Sequence, residues 1–178
     1  SGYKGGMIDT VIMRCCDVLL SFPSLLLAFI LVAGLGRNTF NAVLALGIVY
    51  VPMLTRLTRS LTLVEKNKVY VSACVSLGYS DTRIIYRHIL PNCISVIIVS
   101  TDLQIPSAIF TESFLSFIGL GVQAPMPSLG SLASDALNGI TSYPYRLVIP
   151  AVTISLIVLS LNLFGDGLRD AFDPKLKN

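Results

Sequence analysis

Residues 147–165 run for 19 positions without a charged side chain; residues 18–36 do the same, and 38–55 add 18 more. A helix needs about 20 predominantly apolar residues to cross the hydrocarbon core of a bilayer. Inside that core the backbone must satisfy its own hydrogen bonds, which leaves helices for isolated runs of this kind. A fourth apolar stretch, 89–120, is longer and is interrupted by Asp102 and Glu112. Composition agrees: 13% of residues are charged, against roughly 25% in soluble domains. The expected fold is therefore an all-α membrane protein, a multi-span helical bundle forming one domain over 1–178. Its spans fall at about 18–36, 38–55, 92–118 and 147–165, the third long enough to bend or project past the membrane. Residues 123–145, rich in Pro, Ser and Gly, read as a loop with a short helical piece near 132–137.

Orientation follows from Lys and Arg, which favour the cytoplasmic side. With the polar island at 65–91 placed in the cytoplasm, Lys4, Arg14, Arg56, Arg59, Lys66, Lys68, Arg83, Arg87, Arg169, Lys175 and Lys177 lie inside and only Arg37 and Arg146 outside. Both termini of the chain are then cytoplasmic. Residues 1–6 are polar and Gly-rich and read as a loop in mid-domain, so the chain is expected to be a fragment or truncated product. Cys15, Cys16, Cys74 and Cys93 fit no zinc or redox spacing and read as small apolar residues. Pro23, Pro52, Pro106 and Pro150 sit in or beside the spans. Each removes a backbone donor, a loss that neighbouring helices can make good or that serves bending during a conformational cycle.

The island itself reads as helix, turn, helix. Residues 65–77 carry apolar side chains at Val69, Ala73 and Leu77, spaced by four, as on one face of a short amphipathic helix. Gly78 is a natural C-terminal stop. Ser80 or Asp81 can cap a second helix, with Ile84, Ile85 and Ile89 apolar and Arg83 and Arg87 polar. Leu90-Pro91 is expected to end the unit, because the residue before Pro avoids helical geometry. Small residues at Ser72, Ala73 and Cys74 would let a partner surface approach closely. The same pattern also fits a plain connecting loop.

The island resembles the signature of bacterial ABC-importer permeases, a Glu-Ala-Ala triplet followed by Gly and, near its end, Leu-Pro. Here Ser72-Ala73-Cys74 occupies the triplet, Gly78 the glycine and Leu90-Pro91 the final pair. Ser72 stands where the family usually has Glu, and His88 where it often has Ile. Gly2-Tyr3-Lys4-Gly5-Gly6 with Asp9, Met13-Arg14, Asp17 and Pro23 resembles the peptide and nickel group of these permeases. So do residues 114–121 with Pro125 and Pro127, and residues 162–170 with Asp173-Pro174. The C-type permease of oligopeptide importers is the nearest likeness. The family fold has six spans and an N-terminal helix; the four expected here correspond to its last four.

That resemblance implies a bacterial inner-membrane importer subunit forming half of an oligopeptide pathway. It implies a homologous second permease, two ATPase subunits and an extracytoplasmic peptide-binding protein as partners, with no nucleic-acid partner. ATP and magnesium would belong to the ATPases, since this chain has no phosphate-binding GxxxxGK[ST] loop and shows no catalytic constellation. The island would be the coupling helix, with Ser72, Ala73, Cys74, Gly78, Ser80, Asp81, Arg83, Leu90 and Pro91 at the ATPase interface. An importer of nickel or another small solute, and a truncated non-transporting membrane protein, are the alternative readings. His88, the only histidine, is weak support for a nickel site and suits a structural or docking role.

Intramembrane carboxylates usually face a bundle interior or a water-filled cavity. Asp102 and Glu112, about 80° apart on an ideal helix, are with Gln104 the candidates for lining the pathway. An interface with the partner permease is the alternative for either carboxylate. Asp135 and Arg146 fall on the outer face.

Overall fold

In the computed structural model, residues 1–121 and 126–172 are described; Pro125, Asp173, Pro174, Lys175 and Lys177 lie outside them. The described residues form helices joined by short turns, with no strand among them. Helix α1 (Gly6–Leu20) is followed by α2 (Ser24–Leu35), and the two meet at 95°. The run 18–36, expected as one span, is thus divided between them. Pro23 is the cause: it has no N–H with which to continue α1, and it pushes Phe22 out of helical geometry.

Gly36, with φ of 96°, turns the chain out of α2. Asn41 Nδ2 donates to the carbonyls of Leu35 and Gly36, and Asn38 caps the next helix by accepting from the Phe40 amide. That helix, α3 (Thr39–Lys66), has 28 residues and continues about three turns beyond residue 55. Pro52 lies inside it, buried, without ending it. Two ion pairs fasten α1 to α3. Asp9 takes the Arg59 guanidinium in a forked arrangement, with Nε 2.9 Å from both carboxylate oxygens and Nη2 2.6 Å from Oδ2. Asp17 pairs with Arg56 in a more exposed position.

A small unit follows: α4 (Val69–Ser76), then α5 (Asp81–Ile84), a π turn over Ile85–Ile89, and α6 (Leu90–Asp102). The expectation that Leu90-Pro91 ends the helix is not met. The helix runs on through Pro91, with Ile89 and Leu90 both in right-handed helical geometry, and the widened π turn before it relieves the crowding of its ring.

The apolar run then breaks at Leu103 and Gln104 before α7 (Ile105–Phe117), again with a proline, Pro106, in the first turn. The short α8 (Leu129–Leu137) begins with a reciprocal capping box between Ser128 and Ser131. The 28-residue α9 (Tyr145–Phe172) carries Pro150 in its interior.

Among the described residues, three helical stretches are long and apolar enough to cross a membrane: Thr39–Lys66, Asp81–Phe117 and Tyr145–Phe172. The bent α1–α2 pair makes four if it counts as one span. Their packing has two centres. Leu27, Ala28 and Val32 of α2 meet Ala42, Ala45 and Val49 of α3, with Leu115 of α7 and Leu120 beyond it. Small residues let these helix axes approach closely, the main source of attraction where lipid competes for apolar surface. Tyr50 bridges α3 and α7: Thr111 donates to the Ser107 carbonyl (2.8 Å), leaving the Tyr50 hydroxyl to donate to Thr111 Oγ1 at 2.9 Å. The second centre lies in the α4–α6 unit. By contrast α9 is mostly uncovered, with Ile149, Leu156, Leu159 and Leu163 all more than half exposed.

Candidate functional site

The α4–α6 unit is a knob with its own core. Val71 and Cys74 of α4 pack on Ile84, Ile89 and Cys93, and Tyr3, Leu61, Tyr70, Tyr79 and Ile97 close around them. Gly78, with φ of 76°, ends α4. Its N–H donates to the Val75 carbonyl and that of Tyr79 to the Cys74 carbonyl. These are the paired bonds of a Schellman cap, which a left-handed residue makes possible. Ser80 occupies the N-cap of α5, but its side chain makes no capping bond.

The face of α4 carrying Val69, Ala73 and Leu77 is the outer one, while Val71 and Cys74 face inward. Val69 is 85% and Leu77 72% exposed. Of the small triplet, Ser72 and Ala73 are exposed and Cys74 is buried. Gly78, Ser80, Asp81, Arg83 and Pro91 are exposed and Leu90 half-buried. With Val75 and Tyr86, also exposed, the knob therefore shows an apolar surface outside a core already closed. A surface of that kind marks an interaction site. Arg83 lies 4.3 Å over the Tyr79 ring, which also stacks with His88. The N-terminal segment reaches the same unit. Burial, followed by the nearby Asp81 carboxylate, raises the Tyr3 phenol above its usual range.

Four residues that sequence reasoning did not single out join the knob to the bundle. Glu65, near the end of α3, is 8% exposed. One of its oxygens accepts from Lys68 Nζ, the other from the Tyr70 hydroxyl at 2.7 Å. Asn92, in the first turn of α6, donates through Nδ2 to the Tyr70 hydroxyl (3.4 Å) and to the His88 carbonyl (2.7 Å). Burial first, and the Glu65 carboxylate second, push the Tyr70 phenol up to about 12. Glu65 is the only acidic residue between Asp17 and Asp81. A solitary carboxylate at the end of an apolar run was the available signal.

The intramembrane polar residues lie apart from the knob. Asp102 ends α6 against α9: a Cβ placed on Gly165 would stand 2.9 Å from Asp102 Oδ2. That oxygen and Gln104 Oε1 are sealed from solvent without a hydrogen-bond partner among the described residues, although Gln104 Nε2 donates to the Ser100 carbonyl. Glu112 accepts from Ser116 Oγ on its own helix at 2.7 Å. Asp102 and Glu112 stand on either side of the turn at Leu103 and Gln104, Asp102 at the end of α6 and Glu112 within α7. Asp135 is exposed on α8, and Arg146 lies over the Tyr143 ring. Cys16, Cys74 and Cys93 are buried and Cys15 is exposed.

The chain is 44% identical over 177 residues to the oligopeptide transport system permease protein OppC of Bacillus subtilis (strain 168), which covers 99% of this chain and 58% of that protein. It is also 44% identical over 178 residues to the glutathione transport system permease protein GsiD of Pectobacterium atrosepticum, covering all of this chain and 59% of the relative. The dipeptide transport system permease protein DppC of Alkalihalophilus pseudofirmus gives the same identity and coverage. The chain thus spans somewhat under two thirds of the length of these relatives. A family model described as binding-protein-dependent transport system inner membrane component matches residues 1–178. The chain belongs to that family of inner membrane transport components.

Proposed function

We propose that this chain is the permease domain of an ATP-driven importer and forms half of an inward pathway for oligopeptides. The observation that carries the reading is the knob: a unit with a closed core and an apolar outer face, continuous through α3 and α6 with helices long enough to span a membrane. A partner ATPase would seat Val69, Ala73, Leu77 and Tyr86 in a groove. Its ATP-driven movement would displace the knob as a lever. A homologous second permease would complete the pathway, a second ATPase would serve that permease, and an extracytoplasmic binding protein would deliver substrate. ATP and magnesium belong to the ATPases in this scheme. The knob and both ends of the chain lie in the cytoplasm, as the Lys and Arg distribution favours. Three relatives carry oligopeptide, dipeptide and glutathione in their names, which supports a peptide as cargo.

Asp102, Gln104 and Glu112 are the proposed polar points along the pathway. What supports that role is their place inside an apolar helical stretch, where ionisable and polar side chains are costly and usually functional. Replacing Asp102 with Asn and Glu112 with Gln should lower uptake while leaving assembly intact.

The decisive test is Leu77→Asp in the assembled transporter. Leu77 is exposed, so the substitution leaves the knob core untouched. The expected result is loss of the co-purifying ATPase with normal membrane insertion. Full retention of the ATPase would refute docking at this surface.

A further inference from the structure

Docking alone does not make a lever; the knob must also be stiff where it joins the membrane helices. α4 has only eight residues and is bounded by Asn67-Lys68 on one side and the Gly78 turn on the other. Backbone alone would let it swivel about both ends. Packing of Val71 and Cys74 on Ile84, Ile89 and Cys93 opposes this without fixing a direction; one buried carboxylate adds directional bonds. Glu65 belongs to α3, Tyr70 to α4 and Asn92 to α6, and the Tyr70 hydroxyl donates to the first while accepting from the third. Lys68, the N-cap residue of α4, closes the other carboxylate oxygen. A carboxylate with both oxygens engaged in a poorly hydrated place holds its partners in fixed directions, because each lost bond leaves a buried charge less satisfied.

We propose that Glu65 and Tyr70 are positioning residues, a brace that locks α4 to α3 and α6 at once so that displacement of the knob passes to both helices. This rests on the reading of the knob as the ATPase docking element and names the joint through which its movement is transmitted. The brace touches neither nucleotide nor cargo, and its residues lie inside the knob's attachment rather than on the outer face.

The test uses the complete transporter, reconstituted in proteoliposomes with its binding protein, carrying Tyr70→Phe or Glu65→Gln. Three quantities are read: the ATPase co-purifying with the permease, ATP hydrolysed, and peptide moved per ATP. The brace predicts intact co-purification and hydrolysis within about twofold of wild type. It predicts peptide per ATP lowered by about 5-fold or more, the lower end of typical coupling between sites. A merely structural defect lowers hydrolysis and transport together and leaves their ratio unchanged; that result overturns the proposal. Tyr70→Phe removes one hydroxyl and keeps the ring, so it decides the matter if Glu65→Gln does not accumulate. Absence of any ATPase from the wild-type complex would instead overturn the docking reading itself.

Discussion

Gly130→Ala should destabilise this protein through one contact. Gly130 is the second residue of α8, and its helical backbone has no need of glycine. A Cβ built there would stand 1.9 Å from the Ser113 carbonyl oxygen, 2.7 Å from its carbon and 2.9 Å from Ser116 Cβ, whereas real Cβ contacts essentially never fall below 3.0 Å. The obstacle is backbone of α7, which cannot swing aside as a side-chain end would. α8 must therefore retreat by at least 3.0 − 1.9 = 1.1 Å. It also packs on α9, so relief on one side disturbs the other. Overpacking of this kind costs about 1–3 kcal/mol. The assay is thermal unfolding of the purified protein in detergent, with Gly167→Ala as the control. Gly167 has open space around its missing Cβ and lies within α9, where alanine should gain up to about 1 kcal/mol. Gly130→Ala should melt several degrees below wild type and Gly167→Ala at or above it. Equal melting of the two variants would refute the close approach of α7 and α8.

Arg59→Ala should lower the melting temperature more than Arg56→Ala, because it strips the partner from Asp9, which is buried, while the Arg56–Asp17 pair is largely exposed; melting curves of both variants check the order. Thr111→Val should cost about 1 kcal/mol by removing the acceptor for Tyr50, and thermal unfolding beside Tyr50→Phe reads it. The Tyr70 phenol, raised from 10.0 to about 12, is favoured in its neutral form by the fold. Its contribution to stability is complete below pH 10 and is lost as pH rises towards 12. The chain has seven Tyr and no Trp, so tyrosinate absorbance follows phenol ionisation, and Tyr70→Phe should remove a late component of it.

Much of this architecture is legible in the residues. Charge-free runs of bilayer length, the turn at Gly78 and the helical island all carry local physical signals. The direction in which α4 faces does not. VYVSACVS is apolar or small almost all round, as suits a helix covered by its own chain on one side and left open on the other. A spacing of four then selects Val69, Ala73 and Leu77 as readily as the buried Val71 and Cys74. Pro91 misleads for another reason: a widened π turn just before it lets the helix run on through a proline that would otherwise stop it. The Glu65 brace needs three segments brought together in space, so its lone carboxylate gave a position but not its partners.

The π turn at Ile85–Ile89 changes the phase of everything after it. Ile84 and Ile89 are both buried in the knob. On an ideal α-helix, five residues at about 100° each would leave them about 140° apart, too far to share one face. A turn closed by i→i+5 bonds accommodates one extra residue and brings the second isoleucine back nearly over the first. The knob and the membrane part of α6 are thus cut to different registers, and a single residue reconciles them. Deleting any one position within 85–89 would turn the knob about 100° around α6. In this stretch the number of residues matters more than the identity of most of them.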